Sequence, residues 1–371
     1  MSDRPLQGRR LGLVLATSAG GVGRHLRAEA EAACAQGAHV VVAGPSSTEQ
    51  TFAFSAVGCD FREVEIVSGP RPIADTRAVW SLRSALRGCD GVHAHGLRAG
   101  FVAGIAAPRR VPLVVTWHNA VLATGPLRRL YAVLEKRTAR RADVTLCVSA
   151  DLVARARALG GRDVRLAPVG SARPERSSRS VADVRRELGI TAQTPLLLGV
   201  GRLDPQKGFD VLIRAAALLR PRTPEALVVV AGDGPARSAL TALIDAGSAP
   251  VRLLGWRNDT GDLLAAADLV VMPSRWEGSP LAAHETLLAG RPLVATSVGG
   301  LPELLGGGAA RLVPAEDPVA LAEAVDVLLD EPETRAALAR AGQVRGAEWP
   351  DGPTAARAAL DVVARLVVLQ R

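Results

Sequence analysis

Aromatic residues are scarce in this 371-residue chain: it has five Trp, five Phe and one Tyr, or 3% of the sequence. Hydrophobic residues still make up 48%, so the cores must consist mainly of Ala, Val and Leu. Such a composition is typical of α/β proteins, whose parallel strands are continuous apolar runs. The length favours two domains over one.

Cysteine is also sparse, and its spacing excludes two classes of protein. The four cysteines form no Cys-x-x-Cys pair and no Cys/His cluster with zinc spacing. A disulfide scaffold and a zinc module are therefore disfavoured. We interpret the cysteines as buried thiols in a reducing compartment.

No apolar stretch approaches the ~20 residues that a membrane-spanning helix needs. Arginines precede an apolar run near the start, as in a signal peptide, but the run "LGLVLA" has six residues and leads into a glycine turn. This is shorter than the usual apolar region of a leader. We expect a first strand and a cytoplasmic protein, with peripheral contact at the inner membrane face as a further hypothesis.

Positive charge is concentrated in the first half of the chain. Residues 1–200 contain 28 Lys+Arg against 16 Asp+Glu, a net +12, whereas residues 201–371 contain 17 against 21, a net −4. A basic surface attracts phosphorylated substrates, anionic lipid or nucleic acid. Because no nucleic-acid module is recognised and aromatics are few, we expect no nucleic-acid partner.

Apolar runs alternate with helix-length segments in two series, which predicts two doubly wound α/β domains with parallel sheets. The turn-rich "SARPERSSRS" (171–180) is the predicted linker. We assign residues 1–172 and 173–350 to the two domains, and 351–371 to a C-terminal helix that packs back towards the first. The predicted strands are 11–17, 39–44, 91–96, 112–118, 144–149, 164–170, 195–201, 226–232, 251–256, 268–274 and 292–297.

Ligands of doubly wound sheets bind at the carboxyl ends of strands, and the turns at these ends are rich in glycine here. Gly20 and Gly21 follow the first predicted strand and precede a helix, which suits either an approach to phosphate or a structural tight turn. Arg202 and Lys207 lie in "VGRLDPQKGFD", where two cations could bind a diphosphate or belong to an ordinary solvated loop.

The stretch "EGSPLAAHE" contains two carboxylates around a turn. Ser279 suits a helix N-cap, Pro280 the first helical position and Gly290 the C-terminal end. Glu285 is then about five residues into the helix, some 7.5 Å along its axis from the start. Carboxylates spaced in this way can each accept hydrogen bonds from a different ring of an elongated ligand. The alternative is one surface and one capping glutamate.

Taken together, these motifs resemble the GT-B fold glycosyltransferases of family 4, also called glycosyl transferases group 1. The resemblance follows the family order over nearly the whole chain, and the Gly-Arg-Leu-x-x-x-Lys-Gly run with two glutamates eight positions apart is its most specific part. The matching segments are "GGVGRH", "VHAHG", "VTWHN", "CVSADL", "VGRLDPQKGFDVLI", "VVAGDGP", "LLGW", "EGSPLAAHE" and "TSVGGLPE".

The resemblance implies two Rossmann-like domains that face each other across a cleft, and a retaining hexosyltransferase that uses a nucleotide-sugar donor. It implies that Arg202 and Lys207 bind the diphosphate, and that Gly20 and Gly21 face it from the first domain. Glu285 would hold the ribose and Glu277 the transferred sugar. Further implied site residues are His118 beside the sugar, Gly232 and Leu254 near the base, and Ser279 and Leu281 in the donor site.

The aspartates contain no Asp-x-Asp motif, with which some glycosyltransferases hold a divalent metal. We therefore expect no metal and no other cofactor, with Arg202, Lys207 and backbone amides stabilising the departing diphosphate. Pro280 lacks an N–H, so one sugar contact that relatives make from this turn is in doubt.

The acceptor is not identifiable from the sequence. The basic segment 125–143 carries an apolar stripe of Leu127, Leu130, Tyr131 and Leu134, which suits a helix packed on its sheet or a patch for anionic lipid. Trp117 and Trp276 could stack on sugars or pack in a core. A nucleotide-sugar epimerase or hydrolase, and a non-catalytic nucleotide-sugar-binding protein, are the alternative functions.

Overall fold

The computed structural model describes residues 5–369 apart from 19, 68, 70, 123–124, 220, 222–223 and 248. The chain divides into two compact units. The first contains residues 1–169 and 350–371, and the second contains 170–349. Each unit is built around one parallel sheet with helices on both faces.

The first unit has a seven-stranded sheet in the order β3-β2-β1-β4-β5-β6-β7. Its strands are β1 (Arg10–Leu15), β2 (His39–Gly44), β3 (Asp60–Glu63), β4 (Gly91–His95), β5 (Leu113–Trp117), β6 (Val144–Cys147) and β7 (Val164–Leu166). Its helices are α1 (Gly21–Ala35), α2 (Ser46–Phe52), α3 (Pro72–Ala85), α4 (Leu97–Ala106), α5 (Gly125–Arg141) and α6 (Ala150–Ala158). Strand order reverses between β1 and β4, which makes their carboxyl ends the switch point of this sheet.

The second unit has a six-stranded sheet in the order β10-β9-β8-β11-β12-β13. Its strands are β8 (Leu196–Val200), β9 (Leu227–Ala231), β10 (Val251–Gly255), β11 (Leu269–Met272), β12 (Leu293–Thr296) and β13 (Arg311–Val313). Its helices are α7 (Val181–Glu187), α8 (Phe209–Ala216), α9 (Arg237–Gly247), α10 (Thr260–Ala266), α11 (Leu281–Leu288), α12 (Leu301–Leu304), α13 (Pro318–Asp330) and α14 (Pro332–Glu348). Here the order reverses between β8 and β11.

The last helix, α15 (Gly352–Leu369), belongs to the first unit, where it packs against α1 and β4. Its buried face includes Leu360, Val363 and Val367. A Cβ at Gly91 would lie 2.6 Å from a methyl group of Val367. This close approach shows why the start of β4 is a glycine.

The two sheets have one edge strand each, β3 and β13, that the apolar pattern does not predict. β3 reads "DFRE" and β13 has three residues. Both strands are short, and β3 is polar as well, which makes an edge strand less able to pair with another chain. The other two edge strands, β7 and β10, are predicted, because their segments are mostly apolar.

The polar segment that we predicted to be a linker packs on the second unit. Ser177 donates hydrogen bonds to Asp262 from both its backbone N–H and its hydroxyl, at 3.0 and 2.6 Å. A Cβ at Gly261 would lie 1.9 Å from the carbonyl oxygen of Glu175. The unit boundary therefore falls between residues 169 and 170, ahead of the polar segment.

Candidate functional site: a polar cluster at the switch point and a buried histidine cluster

Two loops of the second unit meet at the switch point between β8 and β11. The loop after β8 ends at Gly208, in the left-handed conformation with φ +64°. A Cβ at this position would lie 2.1 Å from the carbonyl oxygen of Pro273, in the loop after β11. Glycine is thus required both by backbone conformation and by contact. The two predicted motifs become neighbours because their strands pair directly.

Lys207 and Glu277 form an ion pair at this position. Lys207 Nζ lies 2.6 Å from Glu277 Oε1, and the same oxygen accepts a hydrogen bond from the Ser274 hydroxyl at 2.6 Å. The Glu277 side chain is 5% exposed and the Lys207 side chain 24%. Both bonds use Oε1, so Oε2 is the oxygen with which Glu277 can accept from a ligand.

The backbone of Glu277 is held from the loop after β12. The Gly300 N–H donates to the Glu277 carbonyl at 2.8 Å. Gly299, at φ +53°, leaves no space for a side chain, since a Cβ would lie 2.0 Å from that carbonyl oxygen. Gly299 and Gly300 of "SVGGLPE" therefore hold the backbone of Glu277 in place.

Arg202 is the exposed cation of the same loop, and it has no ion-pair partner among the residues that the structure describes. It contrasts with Lys207, whose charge is compensated by Glu277. An anionic ligand would find one cation already neutralised and one uncompensated.

Glu285 is the fifth residue of α11 and is half-buried. Its Oε1 accepts a hydrogen bond from the Ser171 hydroxyl at 2.8 Å. The predicted start of this helix is off by one position: Pro280 is the N-cap and Leu281 the first helical residue, so Ser279 does not cap it. The predicted end is correct, since Gly290 follows the C-cap at φ +66°.

Ser171 is a residue that the sequence interpretation missed, because it lies in the segment assigned to the linker. Its N–H also donates to His284 Nδ1 at 2.9 Å, and His284 Nε2 lies 2.8 Å from the Gly346 carbonyl. His284 is buried, and both of its ring nitrogens are used by the backbone. It positions the segment rather than facing a ligand.

The remaining predicted donor-site residues of this unit lie on adjacent elements. Gly232 directly follows β9, and a Cβ there would lie 1.8 Å from the Gly201 carbonyl oxygen, so the turns after β8 and β9 are in close contact. Leu254 lies near the end of β10 and packs partly buried against the core. Leu281 and Ser279 are half-buried at the start of α11. Trp276 is buried, so core packing is its observed role.

In the first unit, Gly20 is the N-cap of α1 and Gly21 its first residue. Nothing lies within 4 Å of a Cβ built on Gly20. The backbone around Gly20 is thus open, and Gly20 itself is exposed. Ala19 of the same turn lies outside the described residues.

His118 follows β5 and is buried, and the structure surrounds it with other histidines. His118 Nε2 lies 3.2 Å from His95 Nδ1. Burial, and then the neighbouring His95, hold the pKa of His118 well below its usual range. Burial likewise lowers the pKa of His95 to about 3 and that of His25 to about 4. Trp117, next to His118, is also buried.

One group in this cluster has the residue types of a metal site. Ligand atoms of His25, Glu29 and His95 all lie within 4.8 Å of one another. Two imidazoles and a carboxylate suit a divalent transition metal. A tetrahedral zinc with bonds of about 2.0–2.1 Å needs donors about 3.3 Å apart, so the group would have to contract to bind it.

A model of a known protein family matches each of the two units. The model of glycosyl transferases group 1 matches residues 194–331, and that of a glycosyl transferase 4-like domain matches residues 20–172. A D-inositol 3-phosphate glycosyltransferase from Thermobispora bispora is 35% identical over 307 residues, 73% of this chain and 69% of that protein. Three other curated relatives are matched over less of their length, 60% to 63%.

Solved structures share the fold. HepE from Anabaena in complex with UDP has a TM-score of 0.81 and 21% sequence identity, covering 96% of this chain and 100% of that chain. HepE in complex with UDP-glucose also has a TM-score of 0.81. WaaG, a glycosyltransferase involved in lipopolysaccharide biosynthesis, has a TM-score of 0.76 over 95% of this chain at 20% identity. With two Rossmann-like units and a matching model on each, this chain has the GT-B fold and belongs to the group 1 glycosyltransferase family.

Proposed function

We propose that this protein transfers a sugar from a nucleoside-diphosphate sugar to an acceptor, with retention at the anomeric carbon and without a divalent metal. The observation that carries the proposal is the joint placement of Lys207, Ser274 and Glu277 at the switch point of the second sheet. Open α/β sheets bind their ligands at this position. The HepE complexes with UDP and UDP-glucose support a nucleotide-sugar donor.

Arg202 and Lys207 supply the positive charge for the diphosphate. Arg202 is uncompensated by any described acid, and Lys207 could exchange part of its contact with Glu277 for a phosphate oxygen. A preorganised group in a site shielded from water can stabilise a departing anion by about 3 kcal/mol, and the exposed Arg202 would contribute less unless the ligand covers it. The two cations would take over the role that a metal has elsewhere.

The two glutamates supply hydrogen-bond acceptors for hydroxyl groups. Each has one oxygen held by the protein: Glu277 by Lys207 and Ser274, and Glu285 by Ser171. The second oxygen of each carboxylate is then oriented before the ligand arrives, which lowers the ordering cost of binding. We assign Glu277 to the transferred sugar and Glu285 to the ribose.

The test begins with thermal-shift measurements on a panel of UDP-, GDP- and ADP-sugars. One donor class should raise the melting temperature, and Glu285→Ala and Lys207→Ala should each weaken its binding at least tenfold, about 1.4 kcal/mol, by calorimetry. Unchanged affinity in both variants would refute the assigned site.

Activity then separates the alternatives. A transferase should release nucleoside diphosphate slowly with donor alone and faster with an acceptor, whereas rapid turnover of donor alone would indicate a hydrolase or epimerase. NMR of the product should show the anomeric configuration of the donor. Full activity should persist in EDTA, and its loss would overturn metal independence.

For the acceptor side, we propose that α5 contacts an anionic membrane surface at the cytoplasmic face. Leu127, Leu130 and Val133 are 53%, 42% and 49% exposed, and Arg128 and Arg129 beside them are also exposed. Of the predicted stripe, Leu127 and Leu130 are thus exposed, Tyr131 is half-buried and Leu134 is buried. No helix among the described residues has the length and apolarity to cross a bilayer.

Vesicle flotation tests this contact. The protein should float with vesicles rich in phosphatidylglycerol and not with phosphatidylcholine vesicles, and Arg128→Glu with Arg129→Glu should abolish flotation. The pair Arg83→Glu and Arg87→Glu on the exposed side of α3 and its end gives the same change in net charge as a control. Equal flotation of all three proteins would refute a role for α5.

A further inference from the structure

The first unit contains a buried series of polar contacts that passes through Glu29 and ends at His118. Glu29 lies on the buried face of α1, one turn after His25. His93 and His95 lie two residues apart on β4, so their side chains project to the same face of the sheet. All of these side chains are buried, so their polar partners have to come from within the protein.

The contacts can be followed from Thr116 to His118. Thr116 Oγ1 lies 2.7 Å from His93 Nε2, and His93 Nδ1 lies 2.7 Å from Glu29 Oε1. The other carboxylate oxygen, Oε2, lies 3.1 Å from His95 Nε2 as a charge contact, and neither of these two atoms has a hydrogen-bond partner among the described residues. His95 Nδ1 then lies 3.2 Å from His118 Nε2.

The protonation states follow from burial and charge. Burial alone would raise the pKa of Glu29, but the charge of His93 and the hydrogen bonds from His93 and His95 outweigh it and hold that pKa well below its usual range. Burial keeps His95 and His118 neutral near pH 7, with lowered pKa values. An ionised carboxylate only accepts hydrogen bonds, and a neutral imidazole has one N–H and one bare nitrogen.

We propose that Glu29 and His95 are positioning residues that hold His118 in the tautomer with the proton on Nε2. A bare imidazole nitrogen 3.1 Å from an ionised carboxylate oxygen would be repelled by it, so His95 carries its proton on Nε2, which leaves His95 Nδ1 bare. That bare nitrogen accepts from His118, so the His118 proton is on Nε2. His118 Nδ1 is left with a lone pair.

The tautomer determines which hydrogen bond His118 can make with a ligand. That consequence rests on the proposed function. Nδ1 with a lone pair accepts a hydrogen bond from a hydroxyl group of a donor sugar or acceptor, and does not donate one. Orienting a histidine tautomer through a second group is a common arrangement in catalytic and metal sites. Here the orienting carboxylate acts through a second histidine.

A metal ion at the His25, Glu29 and His95 group would give the opposite result. A metal would take the lone pair of His95 Nε2, so the His95 proton would move to Nδ1 and be donated to His118 Nε2. His118 would then carry its proton on Nδ1. The two arrangements are therefore distinguishable by one observation on the full-length protein without substrate.

The experiment is a two-bond ¹H–¹⁵N correlation spectrum of protein labelled in its histidine rings, at pH 7, before and after EDTA treatment. His118 is identified by the loss of its signals in His118→Gln. The proposal expects the Nε2–H tautomer in both samples. The Nδ1–H tautomer in untreated protein overturns it, as does a spectrum of His118 averaged over both tautomers.

Glu29→Gln provides the second measurement, with Glu31→Gln as the matched control. Glu31 lies on the same helix but is exposed and pairs with Arg27. In Glu29→Gln, the amide can donate as well as accept, so we expect His118 to lose its single tautomer. We also expect kcat to fall at least tenfold, with less than a threefold change in the donor KM.

Glu31→Gln should leave both the spectrum and the kinetics unchanged. A single, unaltered Nε2–H tautomer in folded Glu29→Gln would refute the role of Glu29. Because the wild-type spectrum needs no substrate, and needs only His118→Gln to assign its signals, it decides the tautomer even when Glu29→Gln does not fold or the assigned reaction is wrong.

Discussion

The two units differ in how their buried carboxylates are paired. In the second unit, Glu277 and Lys207 neutralise each other at the rim of the sheet, where Lys207 keeps contact with water. In the first unit, Glu29 is fully buried and depends on two histidines. The first arrangement can exchange partners when a ligand arrives. The second is closed, and its contribution is to fix an orientation.

His118→Ala should give the largest effect and tests whether the first unit contributes to the reaction. We expect turnover, measured as release of nucleoside diphosphate from the donor found in the screen, to fall about 100-fold, similar to the loss of one preorganised hydrogen-bonding group in an active site. Donor affinity should change less than threefold. A loss of affinity that equals the loss of turnover would instead make His118 a binding residue.

Lys207→Met tests whether the pair of the second unit is exchangeable. It leaves the carboxylate of Glu277 nearly buried without its cation, so we expect a loss of about 2 kcal/mol in the free energy of unfolding, less than for a fully buried pair because Lys207 is partly exposed. Donor affinity should fall at least tenfold.

Adding Glu277→Gln to Lys207→Met removes the uncompensated charge. The double variant should recover most of the stability, measured by urea unfolding, but not the donor affinity. Recovery of both would show that the pair supports the fold and not the ligand.

The pH dependence of stability tests the first unit. His25 takes up a proton below about pH 6.5 when unfolded, but only near pH 4 when folded. Between these values the unfolded state binds more protons, so the free energy of unfolding falls as the pH falls. His95 and His118, also held neutral by burial, and the buried carboxylate Glu29 act in the same direction.

His25→Asn should reduce this slope by up to about 1.4 kcal/mol per pH unit between pH 4.5 and 6. Urea unfolding at several pH values measures it, with the exposed His39→Asn as the control. An unchanged slope in His25→Asn would mean that this histidine is protonated in the folded protein.

Ser171→Ala should give the smallest effect. It tests whether the polar segment 171–180 contributes to donor binding through Glu285. It removes one hydrogen bond from Glu285, which is worth about 1 kcal/mol. Donor affinity should therefore fall about fivefold, less than in Glu285→Ala. Ser177→Ala, in the same segment, removes the hydroxyl bond to Asp262 instead. It should lower stability without changing donor affinity, and equal affinity losses in both would implicate the segment as a whole.

The sequence predicts the second unit's site better than the first's, for a local reason. Lys207 and Glu277 each lie in the loop that follows an apolar strand, and in a parallel sheet such loops come to one edge. Glu29 lies on the buried stripe of α1 with Leu26 and Ala30. A carboxylate on an apolar stripe was the signal that could have marked it, but its partners come from β4 and β5 and could not be identified along the chain.

The sequence by itself determined the parallel α/β architecture, the glycine turns and most central strands, because apolar runs and turn chemistry are local properties. It did not determine the edge strands β3 and β13, the placement of Ser171 against Glu285, or the contacts that link Glu29 to His118. Those depend on which strands pair and on which side chains meet across 20 to 100 or more residues of chain. Only the folded sheet brings these groups within hydrogen-bond distance.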